Sequence, residues 1–263
     1  MVNLKKNFED ALEFANNKVC IIRCDLNLPI VDGEVTDFTR LDKVLPTLKM
    51  LLARNSKILL ISHLGRPKGK FDENLSLKIM IPHLEKRLGK NIFFAKEDLM
   101  KSNEIENKIK KLNLGDVLLV ENIRFYKQEE QNEVSFSKKL ASFGDIYINE
   151  SFASSHRAHS SVTGIATFLP SFPGKLFQHE LKNLNYIIKN LQTAPSIAVL
   201  GGSKISTKIE IIENLSKKFN KLLIGGAMAN TFLSAEGYKI GKSLNEPDMI
   251  SKAKLILKKF KDK

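Results

Sequence analysis

Lys57-Ile58-Leu59-Leu60-Ile61-Ser62-His63-Leu64-Gly65-Arg66-Pro67 is a strand-length apolar run that gives way at once to a polar loop closed by Gly-Arg-Pro. A run that is apolar at successive residues, without alternation, belongs to a strand buried on both faces, as in a parallel sheet. The preceding segment, 39–55, places Leu41, Val44, Leu45, Leu48, Leu51 and Leu52 at intervals of three and four, the spacing of an amphipathic helix. Helix, buried strand and polar loop together make the repeating unit of an α/β protein, and the chain on both sides follows the same pattern. Further strands are expected at 19–24, 91–94, 117–120, 145–149, 197–200 and 221–224, and further helices at 75–89, 99–112, 131–143, 174–190, 205–219, 227–236 and 246–260. The fold class that follows is α/β, a doubly wound, Rossmann-like parallel sheet covered by helices on both sides.

The pattern breaks at Phe168-Leu169-Pro170-Ser171-Phe172-Pro173-Gly174, where two prolines and a glycine end one βα series. The expected organisation is a first lobe over 1–172, a connecting helix over 173–190, and a second, incomplete α/β lobe over 191–263 with only two strands. A chain of 263 residues with 43% hydrophobic side chains can bury a proper core and is not disordered. Its longest apolar runs are strand-length, so no membrane span is expected. Met1–Lys6 lacks the apolar stretch of a signal peptide, which points to the cytoplasm. The net charge of +13 raises a non-catalytic polyanion- or nucleic-acid-binding reading. The lysines, however, are spread along the whole chain, as on solvated helix faces, and aromatic residues are not interleaved with them. Cys20 and Cys24 share one expected strand about 13 Å apart, beyond disulfide reach, and two cysteines alone make no zinc site. They read as buried thiols.

Of 42 lysines and arginines only seven are arginine. A chain that uses lysine for generic charge keeps arginine where the planar fork of donors is needed for phosphate or carboxylate. Five of the seven sit beside Asp, Asn or His: Arg23, Arg40, Arg66, Arg124 and Arg157. In a doubly wound fold, ligands gather at the carboxyl ends of the strands. The strand at 19–24 ends in Asp25 and Asn27, that at 57–62 in His63 and Arg66, that at 117–120 in Asn122 and Arg124, and that at 145–149 leads to His156, Arg157 and His159. Asp25 and Asn27 are two apart on an extended segment and can face one side. A carboxylate among arginines is useful if it accepts a ligand hydroxyl, so the expected ligand carries both anionic groups and a hydroxyl.

A second anion-binding arrangement is Ile197-Ala198-Val199-Leu200-Gly201-Gly202-Ser203-Lys204-Ile205-Ser206-Thr207-Lys208: apolar strand, glycine pair, helix start, with free N–H groups pointing outward. Lys204 and Lys208, four apart, are expected on one helix face. A second glycine turn, Gly225-Gly226, lets a flat base approach the backbone. Ser62-His63 is not a hydrolase pair, because neighbours at a strand end point oppositely. Gly237–Ser243 resembles a phosphate-binding loop but has three residues between its glycines and follows a helix.

Taken together, Arg23–Pro29, Ser62–Pro67, Glu121–Phe125, His156–His159 and Gly201–Lys208 resemble phosphoglycerate kinase, over the chain from about residue 15 to its last residue. The resemblance implies reversible phosphoryl transfer between 1,3-bisphosphoglycerate and ADP, giving 3-phosphoglycerate and ATP with Mg2+, in glycolysis. It implies a phosphoglycerate-binding first lobe, a nucleotide-binding second lobe, no nucleic-acid or membrane partner, and a monomer at full length. By position it assigns the triose to Asp25, Asn27, Arg40, His63, Arg66, Arg124 and Arg157, with Arg23, His156 and His159 completing a basic patch. It assigns nucleotide phosphates to Lys204 and Lys208 beside Gly201 and Gly202, and the adenine border to Gly225 and Gly226. Arg40 and Lys204 are the groups expected to meet the charge of the transferring phosphoryl. Members of this family run on for well over a hundred residues past this point, through the loop with the magnesium-binding Asp. The expectation from that difference is that this chain by itself is inactive.

Overall fold

The structure is a computed structural model that describes residues 5–101, 103–191 and 195–261. Ser102 of the helix expected at 99–112, and the first four residues of the Met1–Lys6 segment, lie outside the described residues. The chain divides into two compact units, one ending at Lys182 and the other beginning at Asn183. The division falls inside the helix expected to connect two lobes.

The first unit opens with α1 (Phe8–Phe14), which sequence reading missed. It is only two turns long but is closed by a reciprocal cap: the Asn7 side chain accepts from the Asp10 N–H at 2.8 Å, and the Asp10 carboxylate accepts from the Asn7 N–H at 2.7 Å. Next come β1 (Val19–Arg23), a short hairpin of β2 (Ile30–Val31) and β3 (Glu34–Val35), α2 (Thr39–Leu52) and β4 (Lys57–Ile61). The expected helix at 75–89 is two 3-10 turns followed by α3 (Ile81–Leu88), which ends on Gly89 at φ +67°. Then follow β5 (Ile92–Ala95), α4 (Glu104–Lys111), β6 (Val117–Val120), the single turn α5 (Lys127–Glu130), α6 (Val134–Ala141), β7 (Ile146–Asn149) and β8 (Ser171–Pro173). The strand β8 lies in the segment read only as a break. Its one proline, Pro173, is tolerated because it is the outermost strand, paired with β7 alone.

These strands form one sheet in the order β5-β6-β4-β1-β7-β8, parallel throughout. Alternate residues of the central strands feed opposite layers. Ile22, Ile58, Leu60, Val117 and Leu119 pack with Leu41, Val44, Leu48 and Leu51 of α2. Ile21, Leu59, Ile61, Leu118 and Tyr147 pack with Ile105 of α4 and with Phe136 and Leu140 of α6. Continuous apolar runs were therefore the right signature of strands buried on both sides. Cys20 and Cys24 are buried, unbridged thiols, and burial pushes them up to about 11 and about 12.

The helix α7 spans Lys175–Asn190. The second unit then holds β9 (Ile197–Gly201), α8 (Ile209–Lys218), β10 (Lys221–Gly225), α9 (Ala227–Ala235) and α10 (Ile250–Lys259). β9 and β10 make a two-stranded parallel sheet, and Ile205, Ile212, Met228, Phe232, Ala253 and Ile256 form its core. Among the described residues no helix is long and apolar enough to cross a membrane.

Candidate functional site

Strands β6, β4, β1 and β7 are neighbours and parallel, so the loops that follow them emerge along one edge of the sheet. The end of β1 supplies Arg23, which is 1% exposed. Its Nε donates to Ser161 Oγ at 3.0 Å, one terminal nitrogen donates to the Cys24 carbonyl, and the other lies 2.9 Å from His63 Nδ1. Arg124, 4% exposed, donates to the Gly65 carbonyl at 3.0 Å, and Gly69 N–H donates back to the Arg124 carbonyl at 3.2 Å. Burial, then the charges of Arg23, Arg124 and Arg157 and a contribution from His159, press His63 down to about 2. The imidazole is neutral at physiological pH. His159 is lowered in the same way, by burial first and then by Arg124, while Glu130 opposes. Five of the expected site residues are thus brought within electrostatic range of one another: Arg23, His63, Arg124, Arg157 and His159.

Asp25, Asn27 and Arg40 form an adjoining group. Arg40, at the start of α2, makes an ion pair with Asp25 at 3.2 Å and donates to the Asn27 carbonyl at 3.0 Å; its side chain is 52% exposed. Asn27 does not offer its side-chain oxygen outward, because that atom accepts the Gly65 N–H at 2.8 Å and fixes the loop that carries Arg66. Asp25 Oδ1 accepts the Asn27 N–H at 3.1 Å, so the two polar groups first brace the turn. Asp25 and Arg40 also line a cavity of about 380 Å3 that does not extend to Arg124 or Arg157. Arg66 and His156 are exposed, and neither has an ion pair among the described residues.

Three carboxylates at this edge escaped sequence reading. Glu129, fully buried, accepts from Ser161 N–H at 2.9 Å and Ser161 Oγ at 2.6 Å, and Ser161 in turn accepts from Arg23. Burial raises Glu129, and Arg23 opposes that shift. Glu121 accepts from Ser76 Oγ at 2.7 Å, Leu77 N–H at 2.8 Å and Asn122 N–H at 2.7 Å. Glu150, at the end of β7, accepts from the Thr47 hydroxyl and from the first amides of α7, Leu176 at 3.0 Å and Phe177 at 3.3 Å. Ser62, as expected, is no nucleophile: its hydroxyl donates to the Cys24 carbonyl and accepts from Leu26 N–H, both at 2.9 Å. Two buried polar atoms of the patch, Arg124 Nε and His159 Nδ1, have no hydrogen-bond partner among the described residues. Their nearest carboxylate oxygens are at 3.5 Å in Glu130 and 3.7 Å in Glu129.

In the second unit the glycine pairs end the two paired strands at the same level, with Gly201 opposite Gly225. Gly226 sits at φ +69°, and a Cβ there would lie 2.7 Å from the Gly202 carbonyl oxygen; the two turns touch through backbone. Met228 N–H closes them with a 3.0 Å bond to the same oxygen. α8 begins at Ile209, so Lys204 and Lys208 lie in the turn before it and not on its face, which corrects the expectation. Lys208 crosses back over Gly202, where a Cβ would lie 3.0 Å from Lys208 Cε, and Lys204 is exposed. The amides of Ile205 and Ser206, expected to be free, are bonded to Glu246 at 2.5 Å and 3.1 Å. The side chains of this turn are amines and hydroxyls, and among the described residues no cluster of His, Cys, Asp or Glu could hold a metal.

The family model for phosphoglycerate kinase matches residues 10–263. A phosphoglycerate kinase of Sinorhizobium fredii is 44% identical over 252 residues, which cover 96% of this chain and 62% of that protein. One of Borreliella burgdorferi is 42% identical over 257 residues, with 98% and 64% covered. The chain therefore spans a little over three-fifths of the length of these curated relatives. The solved phosphoglycerate kinase of Coxiella burnetii superposes with a TM-score of 0.80 at 36% identity, covering 94% of this chain and 61% of that one. That of Pyrococcus horikoshii gives 0.82 at 29% identity, covering 97% and 65%. A parallel sheet with arginines and histidines gathered along one edge, matched from residue 10 to residue 263, makes this chain a member of the phosphoglycerate kinase family.

Proposed function

We propose that the chain contributes to glycolytic phosphoglycerate kinase activity: phosphoryl transfer between 1,3-bisphosphoglycerate and ADP, giving 3-phosphoglycerate and ATP. The first unit holds the phosphoglycerate and the second holds the nucleotide phosphates. The carrying observation is the cationic cluster, in which a neutral His63 is ringed by Arg23, Arg124 and Arg157 and two buried polar atoms have no hydrogen-bond partner among the described residues. An anionic ligand supplies those partners, and guanidinium forks match phosphate and carboxylate oxygens bidentately. Asp25, held by Arg40, remains able to accept a hydroxyl. In the ATP-consuming direction the nucleophile is a carboxylate, ionised at neutral pH, so no general base is required. Catalysis then rests on positioning and on charge stabilisation by groups such as Arg40 and Lys204. That chemistry suits a site rich in guanidinium groups and without a nucleophilic triad.

Arg66 offers the sharpest test, because it is exposed and no ion pair ties it to the fold among the described residues. Calorimetry is expected to show 3-phosphoglycerate binding to the chain, and Arg66→Ala to weaken it by about 1.5–3 kcal/mol, the value of a lost charge-assisted pair. Equal affinity for both proteins would remove Arg66 from the site.

A further inference from the structure

Lys204 is bracketed by two anchors in the second unit. On its amino side, the Gly202 carbonyl is fixed by Met228 N–H at 3.0 Å. On its carboxyl side, the Ile205 side chain is fully buried among Ile212, Met228 and Phe232. The amides just after Lys204 converge on a single side chain from the loop before α10. Glu246 Oε2 accepts from Ile205 N–H at 2.5 Å and from Ser206 N–H at 3.1 Å, and Oε1 accepts from Ser206 Oγ at 2.6 Å. Glu246 is itself held, because its N–H donates to the fully buried Thr231 Oγ1 at 3.0 Å. Its loop is also tied to α9 where Asn230 Nδ2 donates to the Leu244 carbonyl at 2.9 Å.

A carboxylate beside a turn read as a phosphate cradle is unexpected, since a free negative charge there repels the ligand. Here both oxygens are aimed at protein donors. The Ser206 hydroxyl, the Ser206 and Ile205 amides and the nearby Lys204 charge hold the carboxyl below its ordinary range, so it stays ionised. The effect is to fix two amides of the turn before α8 immediately behind Lys204. We propose that Glu246 is the positioning residue for Lys204, clasping the glycine turn so that the amine is presented to the phosphates of a nucleoside diphosphate or triphosphate. The proposal rests on the nucleotide reading of this turn and deepens it.

The test is a double-mutant cycle of ADP binding to the whole chain, with thermal unfolding measured on every variant. Glu246→Ala and the near-isosteric Glu246→Gln are each expected to weaken ADP about 10-fold, and Glu246→Asp, which keeps the charge, to recover part of the loss. In a Lys204→Ala background the same Glu246 substitutions are expected to change affinity less than about 2-fold, because the clasp acts through the amine. A purely structural role would lower affinity equally in both backgrounds, and that result overturns the proposal. So does unchanged or tighter ADP binding by Glu246→Gln, which would make the carboxylate a bystander or a competitor for the cradle. If Glu246→Ala does not fold, Glu246→Gln and Glu246→Asp carry the cycle. If Lys204→Ala binds ADP as tightly as the unaltered chain, or that chain binds none, the nucleotide reading itself falls and takes the clasp with it.

Discussion

Arg23, the last residue of β1, and Lys204, in the turn after β9, are both cations at a strand end, and they are held in opposite ways. Arg23 is 1% exposed, and its guanidinium is fixed on Ser161, Cys24 and His63. Lys204 is exposed; what is fixed is its backbone, through Gly202 and Ile205. The first unit therefore presents rigid, pre-aimed donors, which suit a small anion of one shape. The second presents a fixed backbone with an exposed amine at Lys204, which suits the nucleotide-phosphate role proposed for it. The electrostatic cost differs accordingly: buried cations must be balanced inside the fold, as Glu129 does for Arg23, whereas exposed amines are solvated for free.

The largest effect expected from this contrast is on stability. Arg23→Ala removes a buried cation, empties its volume and strands Glu129, so the first unit should lose about 3–5 kcal/mol, read from hydrogen exchange of the β1 amides. Lys204→Ala should change the exchange of β9 by no more than about 0.5 kcal/mol. Equal small effects at both positions would dissolve the distinction between the two modes of holding a cation.

Next in size is the backbone contact between the glycine turns. Gly226→Ala must place a methyl group 2.7 Å from the Gly202 oxygen at positive φ, and should cost the second unit about 1–3 kcal/mol while loosening ADP. Gly201→Ala and Gly225→Ala, whose added methyls meet nothing within 4 Å, should leave thermal stability nearly unchanged. A cradle that tolerated Gly226→Ala as well would not depend on backbone contact.

The smallest effect is in pH. His63 stays neutral in the fold down to about 2 but takes up a proton near 6.5 when unfolded. Below about pH 6.5 the unfolded state binds more protons, so the first unit loses stability as pH falls, by up to about 1.4 kcal/mol per pH unit for this one group. His159, also lowered, adds in the same sense. His63→Gln should flatten that limb in thermal melts between pH 6.5 and 5. The second unit carries no histidine, and its lowered group, Glu246, loses its contribution only as pH falls through the carboxylate range. Local melting of the second unit should accordingly be flat where that of the first is sloped.

How far the sequence could be read follows from the same physics. All seven expected strands are present; the central ones of the first unit were legible because a strand buried on both faces must be apolar at consecutive residues, as Ile58–Ile61 and Val117–Val120 are, whereas β9 and β10 are apolar runs that leave Ile197, Val199 and Leu223 exposed. The edge strand Ser171–Pro173 escaped because an outermost strand needs neither length nor a hydrophobic run, and Pro170 before it and Pro173 within it read as a stop. The arginines that the structure gathers at the candidate site, Arg23, Arg124 and Arg157, stood out because arginine is rare in this chain. Their acidic partners were not: Glu129 lies in Lys127-Gln128-Glu129-Glu130, which looks like a solvated stretch until α5 and Ser161 enclose it. Glu246 was equally silent, since only the folded loop brings it to Ile205. The helical-face reading of Lys204 and Lys208 failed because α8 starts one residue after Lys208.

Gly174 carries a consequence for how this chain can vary. Its φ lies outside the left-handed region, so no unusual dihedral demands glycine there, but a Cβ would fall 1.7 Å from Glu150 Oε2 and 3.0 Å from Glu150 Cβ. The glutamate cannot swing aside without abandoning Thr47, Leu176 and Phe177. Positions 150 and 174 are therefore one heritable unit: an alanine or serine at 174 becomes admissible only after the glutamate has been shortened or lost. Libraries that vary the two sites together should recover viable pairs that single-site libraries reject, and drift through this segment must pass first through position 150.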